Sequence, residues 1–111
     1  PKAYLTFISN FRKNYFGINY DIGNSASNNF DPKEEFKYYG GYIKNIHIKD
    51  RRKYGKTVPL GKGNANFKMV ARLCKKINYK GNYILQAARK KNGNEIKTVE
   101  SYLKFLNCNF C

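Results

Sequence analysis

The sequence is short of several things, and each shortage removes a class of protein. It holds no apolar run long enough to cross a membrane and no basic, apolar, small-residue leader of the secretory kind. The expected compartment is therefore the cytoplasm, and a membrane is not an expected partner. Its three cysteines are too few and too unevenly placed for a disulfide framework. Cys74 falls on an apolar helical stripe, while Cys108 and Cys111 form one C-x-x-C with no second pair to complete a zinc site. Reduced thiols without a role are expected for all three. Acidic residues number only 7 against 22 lysines and arginines, and histidine occurs once, at position 47.

What the chain has in quantity is positive charge. A formal net charge of +15 on 111 residues favours phosphates, whether carried by nucleic acid, by anionic lipid or by a small substrate. The cations are spread along the chain instead of forming blocks, and lysine outnumbers arginine 17 to 5 beside abundant asparagine, isoleucine and tyrosine. That mixture is what an AT-rich genome writes on any surface, so background composition explains the charge better than a nucleic-acid grip does. The length suits one domain, residues 1–111, and the chain begins at Pro1 with no initiator methionine, as a cut or processed piece would.

The hydrophobic spacing predicts alternating elements. Leu5, Ile8 and Phe11 lie at helical spacing in a segment expected to run as a helix to about Asn14. "FGINYD" reads as a short strand entering a polar loop, "IGNSASNN". "FDPKEEF" is a strong helix start, with Asp31 as cap, Pro32 at the first position and Glu34 and Glu35 in the first turn; Gly40 and Gly41 stop it. "YIKNIHIK" is a second strand with Ile46 and Ile48 on one side and Asn45 and His47 on the other, followed by a long loop, "DRRKYGKTVPLGKGNA". A third helix is capped by Asn66 and carries Phe67, Val70, Ala71, Cys74 and Ile77 as one stripe. "YKGNYILQ" turns through Gly81 into a third strand, and a last helix from about Asn94 to Leu106 is expected to bury Ile96, Val99, Tyr102, Leu103 and Leu106.

A helix and then three strand–helix units is the grammar of an α/β protein with a parallel sheet and helices outside it. In such folds the working residues gather at the carboxyl ends of the strands. Those ends are Asp21, His47 with Asp50, and Gln86 with Arg89. Three strands bury poorly and leave two open edges, so a stable molecule is expected to need more sheet, and a homo-oligomer stays open as an assembly.

"INYDIGNSAS", "IKNIHIKDR", "VPLGKGNANF" and "YILQAAR" together resemble, in order and spacing, the last three strand–helix units of xylose-isomerase-like TIM barrels, and most closely the sugar-phosphate isomerase and epimerase branch. The resemblance covers the chain from about Gly17 to Leu106 and implies the carboxyl-terminal three βα units of a (β/α)8 barrel, which in full needs about 250 residues. It also implies a divalent cation (Mn, Mg, Co or Zn) at the top of the barrel, on a glutamate, an aspartate, a histidine and a second glutamate. The aspartate maps onto Asp21 and the histidine onto His47; the second glutamate position is Gln86, and the first would lie upstream of Pro1. The implied chemistry is isomerisation or epimerisation of a sugar or sugar phosphate, with the metal holding the carbonyl and hydroxyl oxygens and stabilising an enediolate. Gln86 departs from the pattern: an amide oxygen can coordinate a hard cation but takes up no proton at neutral pH. Two-base epimerisation with Gln86 as a base is thereby excluded, and the catalytic residues stay unassigned.

The remaining candidates would bind substrate. Asn24 stands where several relatives carry a histidine, and is expected to shape the loop and touch sugar hydroxyls. Asp50 is expected either to orient a ligand or to pair with Arg51 or Arg52. Arg51 and Arg89 sit where a guanidinium clamps phosphate, and Lys62 lies in "LGKGN", ahead of a helix, where barrels of this kind commonly hold phosphate. Two other readings remain: a relative of the apurinic-site endonucleases, which the single histidine speaks against, and a non-catalytic or nucleic-acid-binding barrel remnant.

Overall fold

A computed structural model describes residues 1–89, 91 and 93–110. Its helices are α1 (Lys2–Ile8), α2 (Ile22–Ser27), α3 (Pro32–Tyr39), α4 (Phe67–Lys76) and α5 (Glu95–Asn109). Its strands are β1 (Ile18–Asp21), β2 (Ile43–Ile48), β3 (Asp50–Arg51), β4 (Thr57–Val58) and β5 (Asn82–Leu85). Strands β1, β2 and β5 form one parallel sheet in that order, while β3 and β4 pair as a separate antiparallel hairpin. The three strand–helix units expected from the sequence are therefore present.

Side-chain alternation divides the sheet into two faces. Ile18, Tyr20, Ile46 and Ile48 point to the helices and are at most 3% exposed. Phe36 and Tyr39 of α3, Phe67, Val70 and Cys74 of α4, and Tyr102 of α5 close over them. Each fully covered aliphatic side chain contributes roughly 1.5–3 kcal/mol. Burial also pushes the Cys74 thiol pKa up, against a smaller opposing effect of a hydrogen bond with Tyr83, so this cysteine is a core side chain, as expected.

The other face carries amides and charges. In register across β1, β2 and β5 run Asn19, Asn45 and Asn82, and above them Asp21, His47 and Ile84. The Asn82 amide donates to Asn45 Oδ1 at 3.3 Å.

Capping sets the helix starts. The Asp31, Asn66 and Asn94 side chains accept from the main-chain N–H of Lys33, Met69 and Lys97 at 2.9, 3.0 and 3.0 Å. Each such cap is worth about 1 kcal/mol.

Four expectations need correction. Helix α1 stops at Ile8, short of Asn14, because Ser9 Oγ and Asn10 Nδ2 both donate to Thr6 O and the main chain tightens into turns, Phe11 N–H donating to Ile8 O. The supposed polar loop after Asp21 is helix α2, whose buried face is Ile22, Gly23, Ser25 and Ser27, small residues that carry no apolar periodicity. The long loop after β2 contains the β3–β4 hairpin. Helix α5 buries Thr98 and Tyr102, while Ile96, Val99 and Leu103 are 74%, 47% and 51% exposed. It packs against α4, Phe105 meeting Phe67 edge-on, and among the described residues no strand covers its far side. The C-x-x-C is described only at Cys108, which is exposed; Cys111 lies outside the described residues.

Candidate active site

The carboxyl ends of β1, β2 and β5 bring three of the expected residues together. Asp21 and His47 are partners in the ladder, and the main-chain N–H of Gln86 donates to Ile48 O at 3.0 Å, carrying the ladder one step past β5. His47 Nδ1 lies 3.2 Å from Gln86 Oε1, and its Nε2 lies 3.0 Å from the Asn19 amide nitrogen. The same Asn19 nitrogen lies 3.4 Å from Nδ1, so it sits beside both ring nitrogens and not along the lone pair of one of them.

Asp21 divides its carboxylate between two tasks. Oδ1 caps α2 by accepting the Asn24 N–H at 2.8 Å, and Oδ2 faces the Lys49 ammonium at 3.3 Å. Lys49 Nζ is also 3.3 Å from Gln86 Oε1. The lysine thus bridges the first and third strand ends, in a pair whose side chains are only 18% and 12% exposed. Sequence reading missed Lys49; the available signal was its place two residues beyond His47, on the same side of an extended chain. It also missed Asn19, which sits two residues before Asp21 for the same reason.

The other expected residues separate. Arg51 Nη1 donates to Asn24 Oδ1 at 2.9 Å, and its Nε and Nη2 donate to Gly55 O at 3.2 and 2.8 Å. The guanidinium thereby locks the hairpin turn against α2, beside the main-chain bond from Tyr54 N–H to Ser27 O. Asp50 does neither of the things expected of it. Its carboxylate is buried, the residue 1% exposed, and accepts the main-chain N–H groups of Gly61, Gly63 and Ala65 at 2.9, 2.8 and 3.1 Å. It organises the "LGKGNA" loop from beneath and is closed off from solvent. Lys62 is exposed on that loop. Arg89 pairs with Glu95 at 3.5 Å on the surface, both side chains largely exposed.

A second polar cluster lies on the helix side of β1. Glu35, 3% exposed, accepts the Tyr20 and Tyr39 hydroxyls at 2.8 and 2.6 Å and a close hydrogen bond from Ser25 Oγ. Burial first, and then the neighbouring Glu35, hold the Tyr20 and Tyr39 phenols well above their ordinary pKa. A cavity of about 670 Å³ runs along β1 from Asp21 and Asn24 to this cluster and on to Tyr4 and Phe7.

The donors suit a divalent cation in kind: a carboxylate oxygen, an imidazole nitrogen and an amide oxygen, converging from three strands. Among the described residues no three His, Cys, Asp or Glu side chains gather into a metal cage; the third donor here is the Gln86 amide. Among the described residues, too, no helix is long and apolar enough to cross a membrane.

The sequence profile of the xylose isomerase-like TIM barrel family matches residues 1–107. No curated protein matches the chain at a significant level. Among solved structures, a xylose isomerase domain protein from Planctomyces limnophilus superposes with a TM-score of 0.78 at 24% identity, over 96% of this chain and 42% of that one. Two sugar phosphate isomerase/epimerase structures from Parabacteroides distasonis give 0.71 at 24% identity and 0.67 at 21%. They are matched over 90% and 94% of this chain, but over only 33% and 36% of their own. The three strand–helix units are therefore part of a TIM barrel, and the chain spans well under half the length of these structures.

Proposed function

The chain belongs to the xylose isomerase-like TIM barrel family, and on that premise we propose that it forms part of a metal-dependent isomerase or epimerase of a sugar or sugar phosphate. The observation that carries this reading is the convergence of Asp21, His47 and Gln86 at the ends of three adjacent parallel strands. The names of two structural relatives, sugar phosphate isomerase/epimerase, support the substrate class.

Asp21 Oδ2, His47 and Gln86 Oε1 would hold a divalent cation, which when bound supplies a fixed positive charge against substrate oxygens. Every other step falls to side chains. Asn19 supports the His47 ring from one side, its amide nitrogen close to both ring nitrogens. Asn24, held by Arg51, stands at the rim next to Asp21 and offers an amide to sugar hydroxyls. Lys62, exposed on the loop that Asp50 organises, offers a cation to a phosphate. Gln86 orients and exchanges no proton, so it is not the base that takes the proton next to the carbonyl.

The test has two parts. Calorimetric titration with Mn²⁺ is expected to show binding that Asp21→Asn and His47→Ala each weaken at least tenfold. Incubation of the full-length protein with ketose and aldose phosphates in D2O is expected to wash deuterium into the carbon next to the carbonyl, read by proton NMR. Unchanged metal binding in both variants, together with no exchange in any sugar phosphate, would overturn the reading.

A further inference from the structure

We propose that Lys49 is the resident cation of this centre and that a divalent ion enters only by exchanging places with its ammonium group. The inference rests on the reading that Asp21, His47 and Gln86 hold an ion, and adds what that ion must displace. Lys49 Nζ lies 3.3 Å from Asp21 Oδ2 and 3.3 Å from Gln86 Oε1, the two oxygens that the ion would use. Oδ1 already accepts the Asn24 N–H at 2.8 Å, so Oδ2, the oxygen that faces Lys49, is the one an incoming ion would meet. Two positive groups drawn to the same carboxylate oxygen repel each other, and the Asp21 and Lys49 side chains are only 12% and 18% exposed.

The lysine stem is held by packing. A Cβ built at Gly23 would meet Lys49 Cγ at 2.9 Å and the Lys49 main-chain carbon and oxygen at 3.0 Å, so the first turn of α2 lies directly on this residue. Only the far methylenes and the ammonium are left to swing. The structure thus keeps Asp21 neutralised by Lys49, and ion entry is an exchange of one positive group for another. Two consequences follow: divalent ions bind more weakly than the donor set alone would allow, and the strand-end cluster stays assembled in the presence of chelator.

Titration of the protein and its Lys49→Met variant with Mn²⁺ tests this, with Asp21→Asn as a third arm and circular dichroism as the check on folding. Lys49→Met is expected to bind Mn²⁺ at least tenfold more tightly than the parent, while Asp21→Asn loses binding. Equal or weaker binding by folded Lys49→Met, with binding lost in Asp21→Asn, overturns the exchange and leaves the metal site standing. Binding unchanged in Asp21→Asn, or no binding by any of the three chains, overturns the metal site and the exchange together. If Lys49→Met fails to fold, the parent protein labelled with 13C-lysine decides the matter. Saturating Zn²⁺ is expected to shift the Lys49 ε-methylene signal, and a signal that does not move overturns the exchange.

Discussion

Gly63 is pinned to Asp50: its N–H donates to Oδ2 at 2.8 Å, and a Cβ at this glycine would run into the same carboxylate. The buried acid and the glycine loop above it therefore form one unit, which presents Lys62 to solvent and leads into α4.

Substitution on either side of that contact is expected to loosen the loop. Gly63→Ala overfills the space and costs roughly 1–3 kcal/mol. Asp50→Ala leaves three partly buried N–H groups without their acceptor, at a cost on the order of 2 kcal/mol. Urea denaturation of each variant measures the loss; an unshifted midpoint for Asp50→Ala would show that the carboxylate is not what holds the loop.

Alkaline pH is expected to unfold the protein through its buried phenols. Tyr20 and Tyr39 are raised by burial and then by Glu35, and burial pushes Tyr79 up to about 12. Unfolded tyrosine titrates near 10, so above that pH the unfolded chain has shed protons that the folded one retains, and stability falls. The contribution is complete below about pH 10 and is lost as pH rises through the folded values. Thermal melts between pH 8 and 12 should show a falling midpoint, and Tyr20→Phe should flatten the fall.

Returning a carboxylate to the third strand end is expected to strengthen the centre. Gln86→Glu offers an ionised ligand in place of an amide, and divalent-ion affinity should rise on the order of tenfold, since hard cations respond to ligand charge. Calorimetry with Mn²⁺ reads the change. Equal affinity in the two proteins would mean that position 86 does not touch the ion.

The two sides of the helix layer should differ sharply. Ile46 is fully buried, and Ile46→Ala is expected to cost about 2–5 kcal/mol. Ile96 is 74% exposed, and Ile96→Ala should stay within about 0.5 kcal/mol. Comparable losses at both positions would mean that α5 is covered on its outer side.

The parallel sheet was legible because alternation and helix caps are local signals: Ile46 and Ile48 against Asn45 and His47, and Asp31, Asn66 and Asn94 ahead of their helices. Helix α2 was not, because Gly23, Ser25 and Ser27 bury a face by being small. The outward side of α5 misled for the opposite reason, since apolar spacing says which residues share a side and not whether anything covers it. At the candidate site, Asp21, His47 and Gln86 come from strand ends and from the family resemblance, and the structure brings them together. Lys49 was passed over because its lysine could not be told by composition from sixteen others. Asp50 was misassigned because its partners are main-chain amides eleven to fifteen residues away, which no side-chain pattern records.

The asparagines in register beneath the strand ends have a consequence of their own. Asn19, Asn45 and Asn82 form a floor that carries dipoles and no net charge, and no member of it can titrate. Among the described residues this row therefore takes no proton from Asp21, His47 or Lys49 and gives none to them. A charge that arrives at the strand ends is met by those three side chains themselves, over a base of fixed dipoles.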